Sequence, residues 1–177
     1  SLIDKKNSLL SEKEEVLVMI NEIETKKKDK FMKAFEVIDE NFQNMFEQLT
    51  TKGSKAFLEL ENPKDPLSEG LRIKVRITGK KFLDIRSLSG GEKTLTALAF
   101  IFAIQEHEPA SFYVLDEVDA ALDKKNSEKL AEMIENYSKT AQYIMISHND
   151  NIISKASMLY GTSMDEHGMS KVISLKI

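Results

Sequence analysis

The sequence predicts an α/β domain carried on a long N-terminal helix, and three observations predict it. Residues 1–50 contain neither Gly nor Pro and repeat apolar residues at helical spacing. Beyond them, short apolar runs alternate with amphipathic helical patterns, as strands and helices do when they pack in layers. Two turns built of small and acidic residues stand at the ends of these runs, at 88–93 and 116–123.

The bulk numbers bound the answer. The chain has 177 residues, enough for one core plus an appendage, and its 31% charged content suits a long solvated helix. A net charge of −4 gives no global reason to expect nucleic-acid binding, so any such contact must come from a local patch. There is no cysteine, which excludes disulfides and thiolate metal sites and fits an intracellular setting. No apolar run reaches the ~18 residues needed to span a bilayer. The opening Ser1-Leu2-Ile3-Asp4-Lys5-Lys6 lacks the apolar core of a signal peptide. It also lacks an initiator Met, so the chain is expected to be a piece of something longer.

In the first 50 residues Leu9, Val16 and Ile23 recur at heptad spacing, with Ile20 between the last two. Phe31, Phe35, Ile38, Phe42, Met45 and Leu49 then alternate four and three apart. A lysine-rich break at 26–30 separates the two runs. The reading is one long helix or two joined ones, the early part a coiled-coil strand; the plainer alternative is an amphipathic helix lying on the domain. Gly53 ends this region. Residues 55–61 and 71–77 alternate as strands, separated by the loop Asn62-Pro63-Lys64-Asp65-Pro66. Gly79-Lys80-Lys81 reads as a turn. Residues 95–104 are apolar nearly all round, which predicts a helix buried on most sides. Residues 112–115 and 143–146 read as buried strands, 125–139 as an amphipathic helix, and 158–163 and 171–176 as strands joined by a turn.

Ser89-Gly90-Gly91 precedes a helix. Glycines let backbone N–H groups approach an anion, and the helix N-terminus adds unpaired donors. The plain alternative is an N-cap, with Glu92 completing a capping box. Asp116-Glu117 follows an apolar strand, where ligands bind in open α/β sheets. There the first acid can serve Mg²⁺ and the second can act as a general base on water. The plain alternative is a strand ending in solvated acids. For Asp119 and Asp123 it is helix capping. His148, at a strand end, can donate to a phosphate; His107 and His167 lie in polar stretches and carry no such expectation. A Gly-x-x-x-x-Gly-Lys-[Ser/Thr] phosphate loop is absent from the sequence.

In combination these motifs resemble the ATP-binding-cassette class of ATPases. Leu88-Ser89-Gly90-Gly91-Glu92-Lys93-Thr94-Leu95-Thr96-Ala97-Leu98-Ala99 and Asp116-Glu117-Val118-Asp119-Ala120-Ala121-Leu122-Asp123 most resemble the structural-maintenance-of-chromosomes (SMC) family within it. The tail from Gly168 also looks like that family's last strand. The resemblance implies that residues 51–177 are the C-terminal lobe of an ABC-type ATPase head, with signature motif, Walker B strand, D-loop and H-loop, and that residues 1–50 are its coiled-coil arm. The N-terminal half of the same SMC protein would bring the phosphate loop. Two heads would then sandwich ATP and Mg²⁺. Leu88, Ser89, Gly90, Gly91 and Glu92 would form the signature turn that meets the nucleotide held on the second head. Asp123 would lie in the turn at that interface. Asp116 would serve the Mg²⁺ through water, Glu117 would orient the lytic water, and His148 would touch the γ-phosphate.

A kleisin's C-terminal winged-helix domain is implied as a partner, on the hairpin of residues 158–177. DNA is implied as another, on Lys26, Lys27, Lys28 and Lys30 or on Arg72, Lys74 and Arg76. Each basic patch has a solvated face as its plain alternative. The implied location is cytoplasmic, on the chromosome or nucleoid. Competing readings are the equivalent half of a coiled-coil ATPase of double-strand-break repair, against which Asp119 and Ala120 argue, and a non-catalytic coiled-coil module.

Overall fold

The computed structural model describes residues 2–77, 79 and 81–176. Ser1, Thr78, Lys80 and Ile177 lie outside the described residues, so the Gly79-Lys80-Lys81 turn and the last residue of the tail are not followed further.

One uninterrupted helix, α1 (Leu2–Leu49, 48 residues), replaces the choice between one helix and two. The lysine-rich stretch does not break it, because no residue there removes a backbone donor or adds backbone freedom. The two sequence runs nevertheless differ in environment. Leu9, Val16, Ile20 and Ile23 are exposed, whereas Phe42, Met45, Phe46 and Leu49 are buried. Past Leu49 the Thr50 hydroxyl donates back to the Phe46 carbonyl at 2.6 Å, and Lys129 donates to the Thr50 carbonyl. The chain turns at Gly53, whose φ of 90° belongs to the left-handed region where glycine costs least.

Next come β1 (Lys55–Leu60), β2 (Leu71–Arg76) and β3 (Leu83–Asp84), a three-stranded antiparallel sheet in that order. Ala56 pairs with Val75 and Leu58 with Ile73. The Asn62 side chain holds the connecting loop by accepting from the Lys64 and Asp65 amides. After a short 3₁₀ turn (Ile85–Ser87) the chain enters α2 (Gly90–His107). β4 (Phe112–Asp116) and β5 (Gln142–Ile146) pair in parallel, with α3 (Lys124–Tyr137) as their crossover. A four-residue helix α4 (Asp150–Ile153) and the antiparallel hairpin β6 (Met158–Met164) and β7 (Ser170–Lys176) complete the fold.

The core joins the last turns of α1 to α2, β1 and α3. Phe42, Phe46, Leu49, Leu58, Leu98, Phe102 and Leu130 are nearly or fully buried in it. Phe42 meets Phe100 edge-to-face with centroids 5.9 Å apart, and Phe102 stacks on Tyr137 at 5.4 Å.

Among the described residues the strands form three small separate sheets. Three expectations need correction. β4 and β5 are covered on one face only, and there only half-buried: Phe112, Val114, Ile144 and Ile146 on the other face are exposed. Helix α2 likewise leaves Ala97, Ile101 and Ile104 uncovered along one stripe. Apolar composition marked these surfaces as made for burial; among the described residues nothing covers them. His107, expected in a loop, is the last residue of α2.

Candidate functional site

The approach to α2 is built by local hydrogen bonding. Asp84 accepts from the Arg86 amide at 3.1 Å and from its guanidinium at 2.9 Å. Those bonds hold the Asp84 carboxyl down at about 2. Leu88 follows, 8% exposed and part of the core. Its side chain anchors the turn from beneath, and its amide donates to the Ile85 carbonyl at 3.2 Å. Ser89 is the N-cap, and its amide donates to Glu92 Oε2 at 2.8 Å. Glu92 therefore closes a capping box, the plainer of its two expected roles.

The two glycines differ. A Cβ on Gly90 would meet nothing within 4 Å, and Gly90 is exposed. A Cβ on Gly91 would sit 2.9 Å from the Ala121 carbonyl oxygen. Gly91 is thus where the turn before α2 lies against the turn after β4. That second reason for glycine was not foreseen from the sequence.

β4 delivers Asp116 at its last position, with Glu117 directly after it, and both are exposed. Glu117 has φ 47°, a left-handed conformation uncommon for a residue other than glycine, and such strain collects at functional sites. Its amide donates to the Ile146 carbonyl at 2.8 Å, tying the tip of β4 to that of β5. His148, 92% exposed, presents Nε2 3.6 Å from Glu117 Oε1. These two expected catalytic residues, one on each strand tip, therefore face each other.

The two further acids part company. Asp123 is the N-cap of α3 and accepts from the Asn126 amide at 2.8 Å, as its capping reading required. Asp119 caps nothing. It is 5% exposed, and its Oδ2 accepts from the Ser147 hydroxyl at 2.7 Å. Sequence reasoning missed this pair. The available signal was a hydroxyl placed between an apolar strand and a histidine.

Of the two basic patches, the strand patch is largely committed. Arg72 is bound to Glu61 at 2.8 Å, Lys74 lies 3.4 Å from Glu59, and Arg76 stands over the Phe82 ring at 5.0 Å. In the helix patch Lys28 donates to the Lys64 carbonyl at 3.0 Å, while Lys26 and Lys30 are exposed.

The acids at the tip of β4 thus stand at the end of a parallel strand pair, where ligands bind in open α/β sheets, with the N-terminus of α2 reaching their turn through Gly91 and Ala121. A model of the RecF/RecN/SMC N-terminal domain matches residues 2–171. The chain belongs to the RecF/RecN/SMC family. Among its relatives, the chromosome partition protein Smc of Methanocaldococcus jannaschii is 45% identical over 99% of this chain. That of Pyrococcus furiosus is 47% identical over 99%. The chain spans about 15% of the length of each. Solved SMC heads share the fold. The P. furiosus Smc head with an extended coiled coil, bound to the C-terminal domain of ScpA, superposes with a TM-score of 0.87 at 47% identity, over 98% of this chain and 43% of that one. An Smc head bound to the C-winged helix domain of ScpA gives 0.82 at 46%, over 86% and 46%. A structure from work on ATP-driven dimerization and DNA-stimulated activation of SMC ATPases gives 0.76 at 45%, over 84% and 89%.

Proposed function

We propose that this chain is the C-terminal half of an SMC ATPase head. Joined to a phosphate-loop half, it would bind and hydrolyse ATP and couple that cycle to engagement with a second head in chromosome segregation. One observation carries the reading: the β4–β5 pair presents Asp116 and Glu117 at its tip while its apolar outer face and the stripe on α2 lie bare. A parallel sheet is ordinarily covered on both faces. The sequence lacks a phosphate loop, and a segment bringing that loop and covering those faces answers both deficits. The chromosome-partition relatives favour this reading over a repair-type ATPase.

ATP and Mg²⁺ fit the residues present. Gly90 leaves open space before a helix N-terminus, where backbone N–H groups suit a phosphate. Among the described residues no group of three potential metal ligands occurs, which suits a single, water-mediated share for Asp116. When bound, the ion would offset the negative charge of the triphosphate. Ser89, Gly90 and Gly91 would reach the nucleotide on the opposite head, with Leu88 and Glu92 fixing their turn and Asp123 the neighbouring one. Glu117 would orient and deprotonate water, and His148 would donate to the terminal phosphate.

Further partners follow from the exposed surfaces. The hairpin β6–β7, with Tyr160, Val172, Ile173 and Leu175 exposed, suits the winged-helix domain of a ScpA-type kleisin. The bare seam of α1 at Leu9, Val16, Ile20 and Ile23 suits an opposing coiled-coil strand, making residues 1–50 the arm and 51–177 the lobe. Lys26 and Lys30 are the better candidates for DNA phosphates. The location would be cytoplasmic, on the nucleoid.

The test mixes this chain with a phosphate-loop half and follows mass by light scattering. ATP should double the mass of the Glu117→Gln head, trapped before hydrolysis, and the Ser89→Arg head should stay single while still binding ATP. Robust turnover by the purified chain alone would sink the proposal.

A further inference from the structure

We propose that Asp119 is a positioning residue for ATP hydrolysis, acting through Ser147 to hold His148 opposite Glu117. The inference rests on the head reading above and adds a residue pair to it.

Three observations carry it. First, Asp119 is on the turn that follows Glu117, Ser147 is on the loop that follows β5, and their side chains join at 2.7 Å. This bond links the two turns beyond the strand tips, past the Glu117 amide's bond to Ile146. Second, the Ser147 hydroxyl also accepts from the Asn149 amide at 3.0 Å. That contact closes a small turn around His148, the residue between them, so fixing Ser147 fixes where the imidazole starts. Asn149 continues the brace, accepting from the Asn151 amide at 3.0 Å, while Asn151 reaches the Lys124 carbonyl at 3.2 Å. Third, Asp119 Oδ1 is buried with no hydrogen-bond partner among the described residues. A buried carboxylate oxygen left unpaired is costly, and folds keep such groups where they serve a purpose. His148 itself is 92% exposed. Among the described residues nothing else holds its side chain near Glu117, so the position must come from its backbone.

The same turn carries Ala121, whose carbonyl lies against Gly91. A phosphate on the signature turn would therefore press on the segment that Asp119 anchors. The pair places the lytic residues where that contact can be felt.

The test uses the complete head, this chain plus its phosphate-loop half. Ser147→Ala should lower kcat about tenfold, the scale of a small misplacement of reacting groups. KM for ATP and ATP-dependent doubling in the Glu117→Gln background should hold, and Ser147→Thr should restore kcat. Because Ser147→Ala leaves a buried charge bare, Asp119→Asn/Ser147→Ala is made beside it. If the pair acts as one unit, the double variant should lose no more than the single. The His148 imidazole proton signals should shift in both variants, whether or not the head turns over ATP.

Unchanged kcat in an active head, failure of threonine to rescue, or unmoved His148 signals overturns the positioning role. An unmutated head that neither doubles nor hydrolyses, yet whose His148 signals move on Ser147→Ala, defeats the ATPase reading and leaves the brace standing.

Discussion

Gly90 and Gly91 are neighbours with different work, and their substitutions should separate. Gly91→Ala forces a Cβ to within 2.9 Å of a backbone oxygen, so α2 or the turn at Ala121 must move. We expect a loss of about 1–3 kcal/mol, the usual range for overpacking, read from urea unfolding of the assembled head. Gly90→Ala meets open space and should change stability by no more than about 0.5 kcal/mol. Asp84 offers a test by pH. Its carboxyl is held at about 2 by its bonds to Arg86, below the ordinary 3.8. Since the folded value is the lower, its contribution to stability is present above 3.8 and is lost as the pH falls through 2. Arg86→Ala should raise the Asp84 midpoint toward 3.8 in a carboxyl NMR titration.

Among elements, α2 and the β4–β5 pair carry the clearest expectation. Ile101 is 46% exposed on the bare stripe of α2. Ile101→Glu should leave unfolding of the chain within about 0.5 kcal/mol, yet weaken its association with a phosphate-loop half. Equal association of the two forms in sedimentation would mean that this stripe is not where that half sits. The elements also show what could be read in advance. α1 was legible because Phe31, Phe35, Ile38, Phe42, Met45 and Leu49 keep helical spacing without a breaker, and β1 and β2 because they alternate. β3 and the 3₁₀ turn were not, since two or three residues cannot display a period; α4, four residues long, escaped for the same reason. Apolar runs at 112–115 and 143–146 announced strands correctly. They could not say that one face waits for cover, because composition reports what a surface prefers and not what is present to meet it. For Asp119 the plain capping alternative failed because a buried acid is rare, and only the fold brings Ser147 to it.

At the scale of the molecule, the β4–β5 face, the stripe on α2 and the hairpin expose many large apolar side chains. Isolated, the chain should bind a dye such as ANS strongly, and a phosphate-loop half should suppress that binding. Undiminished fluorescence in a mixture that nonetheless hydrolyses ATP would place the covered surface elsewhere. The long helix has a mechanical corollary. It is held from Lys28, whose amine donates to the Lys64 carbonyl at 3.0 Å, to its C-terminal end, where Asn41 donates to the Ala103 carbonyl at 3.4 Å and Phe42 meets Phe100. About twenty-five residues project beyond that grip, roughly 40 Å at 1.5 Å per residue, so a tilt of about 5° there swings the far tip by roughly 3 Å. The helix is a crank: rotations too small to notice where it is held become strokes as wide as a side chain is long near Leu2.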